Sequence, residues 1–165
     1  MPADSMPANP QEDPVRAAPR AGGRRRTICW DLPAETSIAR KARELTRTTL
    51  IGWSYPNLIG DVVLMVDELV ANAVTHGRAP IRLCLRVEPR AAPGLAVLIC
   101  EVTDGDPHLP QLSELDHFGD GGRGLWIVRH LADDFGAWAT PQGKVVWFAL
   151  AMAAEAAPSG DGPGR

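Results

Sequence analysis

The stretch that most constrains the fold is residues 61–77, with the sequence DVVLMVDELVANAVTHG. Its apolar residues recur at spacings of three and four, which predicts a helix with one buried face. These residues are Val62, Met65, Val66, Leu69 and Ala73. Glu68, Asn72 and His76 recur at every fourth position, so they form a polar edge along the same helix. Gly77 is a typical residue for the end of a helix.

The polar edge suits phosphate transfer. A carboxylate such as that of Glu68 can orient or deprotonate an attacking hydroxyl, and the amide oxygen of Asn72 is a ligand type that Mg2+ accepts. A solvated helix edge is the alternative interpretation of the same residues. His76, at the end of the helix, is more typical of a structural histidine than of a catalytic one.

Composition narrows the class of protein. The chain has 165 residues, 45% of them hydrophobic, which predicts one globular domain. A net charge of -3 gives no reason to expect direct contact with nucleic acid or an anionic membrane. Cys29, Cys84 and Cys100 lack metal-site spacing and predict unpaired residues in a reducing compartment. Because no apolar run could span a bilayer, we expect a cytoplasmic protein.

Apolar periodicity divides the chain into elements. Residues 1–25 and 153–165 are rich in proline, alanine, glycine or charge, which predicts disordered tails around a domain at residues 26–152. The predicted strands are residues 26–32, 81–88, 95–103, 136–140 and 144–152. The predicted helices are residues 33–51, 61–77 and 125–132. Since most strands neighbour one another in sequence, we expect an α+β two-layer sandwich: a mixed, mostly antiparallel sheet with about three helices on one face.

Two of these elements carry finer predictions. Ile28, Trp30 and Leu32 alternate with polar residues, which predicts a half-buried strand. Pro33 predicts the start of the first helix, because a proline at the first helical position loses no hydrogen bond. The predicted buried face of that helix comprises Ile38, Ala42, Leu45 and Thr49.

A glycine-rich segment precedes the last helix. Gly121, Gly122 and Gly124 would let the backbone approach an anion held by the free N–H groups at the helix start. Arg123 could pair with phosphate oxygens. The alternative is a flexible loop that ends at a helix. The segment is neither a P-loop nor a dinucleotide fingerprint.

Asp104 ends a strongly apolar strand, where a carboxylate needs a hydrogen-bond donor or a position at the mouth of a pocket. Such an acceptor suits the exocyclic amino group of adenine. An aspartate that begins a turn before Gly105 is the alternative.

These segments, in this order, resemble the N box (Glu68 to Asn72), the G1 box (Asp104) and the G2 box (Gly122-Arg123-Gly124-Leu125) of the GHKL, or Bergerat-type, ATP-binding fold. The resemblance covers residues 26–150. Within that superfamily, DELVANAVTHG, GGRGLWIV and GKVVWF are similar to the stand-alone anti-sigma-factor serine-protein kinases of bacterial partner-switching systems.

The resemblance implies a role for each matched residue, with ATP and Mg2+ as cofactors. Asn72 would hold Mg2+ between the phosphates, Glu68 would act as base, and Asp104 with Gly105 would bind adenine. The lid residues over the phosphates would be Gly122, Gly124 and Leu125, with Arg123 as a helper. The implied partners are a sigma factor and an anti-anti-sigma protein, and a homodimer is implied as well.

Two residues depart from the pattern of the superfamily. Asp106 stands where the G1 box usually has glycine, and Val145 stands where the last strand often has a threonine that supports the adenine contact. Both departures favour a second hypothesis, a partner-switching module that binds nucleotide weakly or does not turn it over. A third hypothesis is a detached histidine-kinase catalytic domain, although the sequence predicts no long helical hairpin that would present a histidine.

Overall fold

The computed structural model describes residues 24–33, 35–111 and 123–154. These residues form five strands and three α-helices, with a short 3-10 helix at Pro56–Leu58. The strands are β1 (Arg26–Leu32), β2 (Ile81–Pro89), β3 (Leu95–Asp104), β4 (Asp134–Thr140) and β5 (Gly143–Ala153). The helices are α1 (Ile38–Gly52), α2 (Ile59–His76) and α3 (Arg123–Leu131). The predicted tails lie largely outside the described residues.

The strands form one sheet in the order β1-β2-β3-β5-β4, so the predicted α+β sandwich is confirmed. Each of the four described pairings is antiparallel, which makes the described sheet more uniform than the mixed one we expected. The predicted hairpin of β2 and β3 is present. Strand β5 lies between β3 and β4, and this position brings the start of β5 next to the end of β3.

The main core lies between the helices and one face of the sheet. Helix α2 lies centrally, in contact with both α1 and α3, and its apolar face is buried as the periodicity predicts. Each fully buried aliphatic side chain of this kind contributes about 1.5–3 kcal/mol, so this face anchors α2 firmly. On the strands, alternation assigns the even-numbered residues of β3 and β5 to the helix side; they include Leu98, Cys100, Val102, Val146 and Phe148.

The opposite face of β3 and β5 carries a second apolar cluster. Its buried members are Val97, Ile99, Val145, Trp147 and Ala149. These odd-numbered residues point away from the helices, because successive side chains of a strand point to opposite faces. Val145 therefore belongs to the outer layer of the sheet and not to the side on which α2 lies.

The first helix begins later than predicted. It begins at Ile38, after Ser37 at the N-cap, so the prediction of a start at Pro33 is wrong. Its buried residues are Ile38, Ala42, Thr46 and Leu50, which shifts the buried face by one residue from Leu45 and Thr49. The side chain of Ile28 on β1 is 37% exposed, because β1 is an edge strand.

The prediction that all three cysteines are unpaired is wrong. Cys29 and Cys84 form a disulfide, and they lie directly opposite each other in the register of β1 and β2. Cys100 remains a free thiol in the core, and burial raises its pKa well above the usual value. The disulfide removes the cysteine-based argument for a reducing compartment. None of the described helices is long and apolar enough to cross a membrane.

Candidate nucleotide site

The polar edge of α2 faces the start of α3. A Cβ atom added at Gly124, in the first turn of α3, would collide with Oε2 of Glu68 and lie 3.4 Å from its Cδ. A side chain at position 124 would push the Glu68 carboxylate aside, so glycine suits this close approach. The structure thus brings the predicted G2 glycine at position 124 to the predicted base. Gly121 and Gly122 lie outside the described residues.

Asn72 lies one turn further along the same edge. Its Oδ1 atom is buried and has no hydrogen-bond partner within the described part of the chain. A buried oxygen without a donor costs free energy, so this atom is open to a bound water or ion. An amide oxygen is a ligand type that Mg2+ takes, so Asn72 fits the predicted metal role.

The environment of Glu68 makes it a stronger base than an exposed glutamate. Burial raises the pKa of Glu68, and the neighbouring Asp67 carboxylate raises it further. Asp67 faces the other side of α2, where Arg43 of α1 lies 3.5 Å from its Oδ2 atom. Burial also raises the pKa of Asp67, against the opposing effect of the Arg43 charge. Because a general base works best with a pKa nearer neutrality, the raised pKa of Glu68 favours proton transfer to its carboxylate.

Asp104 lies at the end of β3, directly opposite Lys144 in the register with β5. The Lys144 Nζ atom lies 3.0 Å from both carboxylate oxygens of Asp104, and each of the two side chains is only 1% exposed. The backbone N–H of Asp106 also donates to Asp104 Oδ1, at 2.8 Å. The carboxylate predicted to bind adenine is therefore already paired with a buried ammonium.

Lys144 is the residue of this region that the sequence did not point to. Val145, which the sequence suggested for the threonine position of the last strand, points to the outer face of the sheet and away from Asp104. The alternation of side chains along β5 could have revealed this orientation. Lys144 lies two and four residues before the core residues Val146 and Phe148, so all three point to the same face of the sheet.

Asp106 has partners of its own. Its carboxylate lies 3.2 Å from Nε of Arg78 and 2.6 Å from Nδ1 of His108, and it accepts a hydrogen bond from the backbone N–H of His108. These bonds from His108, with the charges of His108 and Arg78, lower the pKa of Asp106. The Asp106 carboxylate, which stands where the G1 box usually has glycine, thus stabilises the turn after β3.

The end of α2 connects the two parts of the site. A Cβ atom at Gly77 would lie 2.5 Å from Cγ of Asp104, and the Gly105 N–H donates to the Arg78 carbonyl at 2.7 Å. At a rise of 1.5 Å per residue, Glu68 lies about 12 Å from His76 along the helix axis. Both parts of the site therefore lie on the helix side of the sheet, with α2 running between them.

The remaining predicted residues have different surroundings. Arg123 is exposed at the first position of α3, whereas the Leu125 side chain is buried in the core. The His76 side chain is exposed, and its backbone carbonyl lies 3.5 Å from Lys144 Nζ. The ligand contacts implied for Gly105, Arg123 and Leu125 remain predictions.

A family model for the histidine kinase-like ATPase domain matches residues 32–150. The chain belongs to this family. The predicted superfamily is thereby confirmed. No curated protein matches the chain significantly.

Among solved structures, the fold is similar to the crystal structure of the RsbU and RsbW domains of Rv1364c from Mycobacterium tuberculosis. The match has a TM-score of 0.52 at 20% identity, which shows a shared fold. It covers 79% of this chain and 34% of the other, so the chain spans about a third of that structure.

The two ends of the site differ in how well their residues fit the magnesium nucleotide expected for this ATPase domain. At the Glu68 edge, the unpartnered oxygen of Asn72 and the close approach of Gly124 fit Mg2+ and phosphate. At the other end of the site, Asp104 does not fit an adenine amino group, because its carboxylate is buried and paired with Lys144. The described structure supports the phosphate half of the site and not the adenine half.

Proposed function

We propose that the chain is a Mg2+- and nucleoside-triphosphate-dependent regulatory protein kinase of the anti-sigma type. Its substrate would be a serine hydroxyl on an anti-anti-sigma protein. The observation that carries this proposal is the pairing of Glu68 and Asn72 on one edge of α2. Among the described residues the Asn72 oxygen has no hydrogen-bond partner, and Gly124 lies against Glu68.

The chain's own residues supply positioning and proton transfer. Asn72 Oδ1 would ligate Mg2+, which when bound would neutralise charge on the phosphates. Glu68 would orient the serine hydroxyl and accept its proton, and its raised pKa suits that role. Gly124 brings the start of α3 against Glu68, and the free backbone N–H groups there would face phosphates bound at this edge. Phosphoryl transfer needs little more from a protein than such positioning.

The regulatory part of the proposal rests on the resemblance and on the shared fold. A kinase of this type would bind a sigma factor and release it according to the phosphorylation state of the anti-anti-sigma protein. The solved structure with a similar fold contains an RsbW domain, which supports this choice of system.

The pairing of Asp104 with Lys144 favours a second candidate function. In it, the domain exchanges protein partners without turning over nucleotide. Calorimetry separates the two candidates, because a folded chain that binds no magnesium triphosphate would leave only the second.

Replacing Asn72 by alanine tests the metal role. We expect Mg2+ to tighten ATP binding to the parent chain, and we expect Asn72→Ala to remove most of that gain, a loss of about tenfold or more since a charge-assisted contact is worth about 1.5–3 kcal/mol. Isothermal titration calorimetry with and without Mg2+ measures the gain. Asn57→Ala, an exposed asparagine in the 3-10 helix, is the control and should bind like the parent. An unchanged Mg2+ dependence in Asn72→Ala would contradict the assignment.

The pH dependence of transfer tests the role of Glu68. A general base must be ionised, so we expect transfer to fall as the pH drops through the raised pKa of Glu68. Asp67→Asn removes the neighbouring negative charge, so it should lower that pKa and move the fall to lower pH. Initial rates of label transfer from γ-labelled ATP to the serine-bearing partner across the acidic range measure the shift. Asp61→Asn, at the start of the same helix, should leave the profile in place, and equal profiles for Asp67→Asn and the parent would refute the role.

A further inference from the structure

We propose that Lys144 makes the nucleotide site indifferent to the base, so that triphosphates bind through their phosphates and Mg2+ alone. This inference rests on the proposed function, because it assumes that the Glu68 and Asn72 edge binds a magnesium triphosphate. Lys144 would thus be the residue that removes base specificity from the site. The argument starts from the hydrogen bonds of the buried ion pair of Lys144 and Asp104.

The ion pair leaves Asp104 no capacity for a base. Both carboxylate oxygens accept from Lys144 at 3.0 Å, and Oδ1 also accepts from the Asp106 N–H. The Asp104 side chain is almost fully enclosed, so a ligand could not reach the remaining lone pairs. An amino group of adenine would therefore find at this position an acceptor already satisfied by the protein.

Lys144 has no donor to spare either. An ammonium group has three N–H donors. In addition to the two Asp104 oxygens, the carbonyl oxygens of Asp106 and His76 lie within 3.3 Å and 3.5 Å of Nζ. A carbonyl-bearing base such as guanine would thus gain no bond from Lys144. A site discriminates strongly between two bases only if it has a polar group that one base satisfies and the other leaves unpaired. The pair of Asp104 and Lys144 offers no such group, so it favours neither adenine nor guanine.

The backbone around the pair holds it in place. Gly143, with a φ of +156°, brings β5 so close that an added Cβ would collide with the Asp104 carbonyl oxygen. At Gly77 an added Cβ would lie 2.5 Å from Cγ of Asp104, so the end of α2 encloses the pair from the other side. A base could enter only if this packing opened.

The direct test uses the parent chain. We expect calorimetry with Mg2+ to give dissociation constants for ATP and GTP within about threefold of each other, and for inorganic tripolyphosphate within about tenfold, since threefold corresponds to well under one hydrogen bond. Binding of ATP more than about thirtyfold tighter than GTP would overturn the inference and leave the proposed function intact. The reverse preference would overturn it equally. If none of the three binds to folded protein, the proposed function fails and this inference fails with it.

A substitution of Lys144 provides a second test of the inference. Lys144→Thr removes the ammonium and opens space beside the Asp104 carboxylate where the lysine side chain lay, so we expect the ratio of ATP to GTP affinity to rise at least about tenfold over that of the parent. Lys41→Thr, an exposed lysine of α1, is the matched control and should keep the parent ratio. A folded Lys144→Thr variant with an unchanged ratio would overturn the inference. Should the variant not fold, the ratio measured on the parent chain decides the question alone.

Discussion

Glu68→Gln is expected to slow phosphoryl transfer to a serine-bearing anti-anti-sigma protein by about 10²–10⁴-fold, the range that positioned general bases contribute. Glutamine keeps the size of the side chain and one acceptor oxygen, but it lacks the negative charge and cannot accept the proton. Binding of magnesium triphosphate should change little, because Asn72 and the start of α3 are untouched. Transfer of label from γ-labelled ATP gives the rate, and calorimetry gives the affinity.

A matched control separates the chemistry of Glu68 from a general change in charge. Glu44→Gln removes one carboxylate from the exposed face of α1, where Glu44 lies 3.9 Å from Lys41, and it should transfer label at the parent rate. If Glu68→Gln retained the parent rate while Asn72→Ala lost Mg2+-dependent binding, the site would bind nucleotide without using Glu68 as base. The second candidate function would then be favoured.

The central helix could be predicted from the sequence because all of its signals lie within a few turns. The apolar face of α2 and the line of Glu68 and Asn72 follow from local periodicity alone. The contact of Gly124 with Glu68 joins residues far apart in the chain, so local periodicity could not supply it. The order of the motifs suggested that they meet, and the family resemblance gave the reason.

Strand register explains what the sequence did not reveal. The disulfide of Cys29 and Cys84 depends on which residues of β1 and β2 lie opposite each other, and no spacing along the chain encodes that. The same holds for Asp104 and Lys144, which become neighbours only because β5 lies next to β3. Val145, which we compared with the family threonine, lies on the outer face of the sheet, whereas its neighbour Lys144 contacts Asp104. In a strand, a shift of one residue exchanges the two faces of the sheet.

Lys144→Met is expected to lower the free energy of unfolding by about 3–5 kcal/mol, because it leaves the Asp104 carboxylate buried without its counter-charge. The double variant Lys144→Met/Asp104→Asn should recover most of that loss. Asparagine carries no charge, and its oxygen can still accept the Asp106 N–H. Urea denaturation followed by circular dichroism gives the four free energies of a double-mutant cycle.

An exposed pair on the same sheet provides the comparison. Arg82 on β2 and Asp31 on β1 are 3.4 Å apart with side chains 54% and 76% exposed, so Arg82→Met should cost less than about 1 kcal/mol. If instead Lys144→Met cost no more than Arg82→Met, Lys144 would not be a firmly held counter-ion. A base could then displace it from Asp104. The stability cycle therefore tests, without any nucleotide, the physical assumption on which base indifference depends: a buried charge pair that is too costly to open.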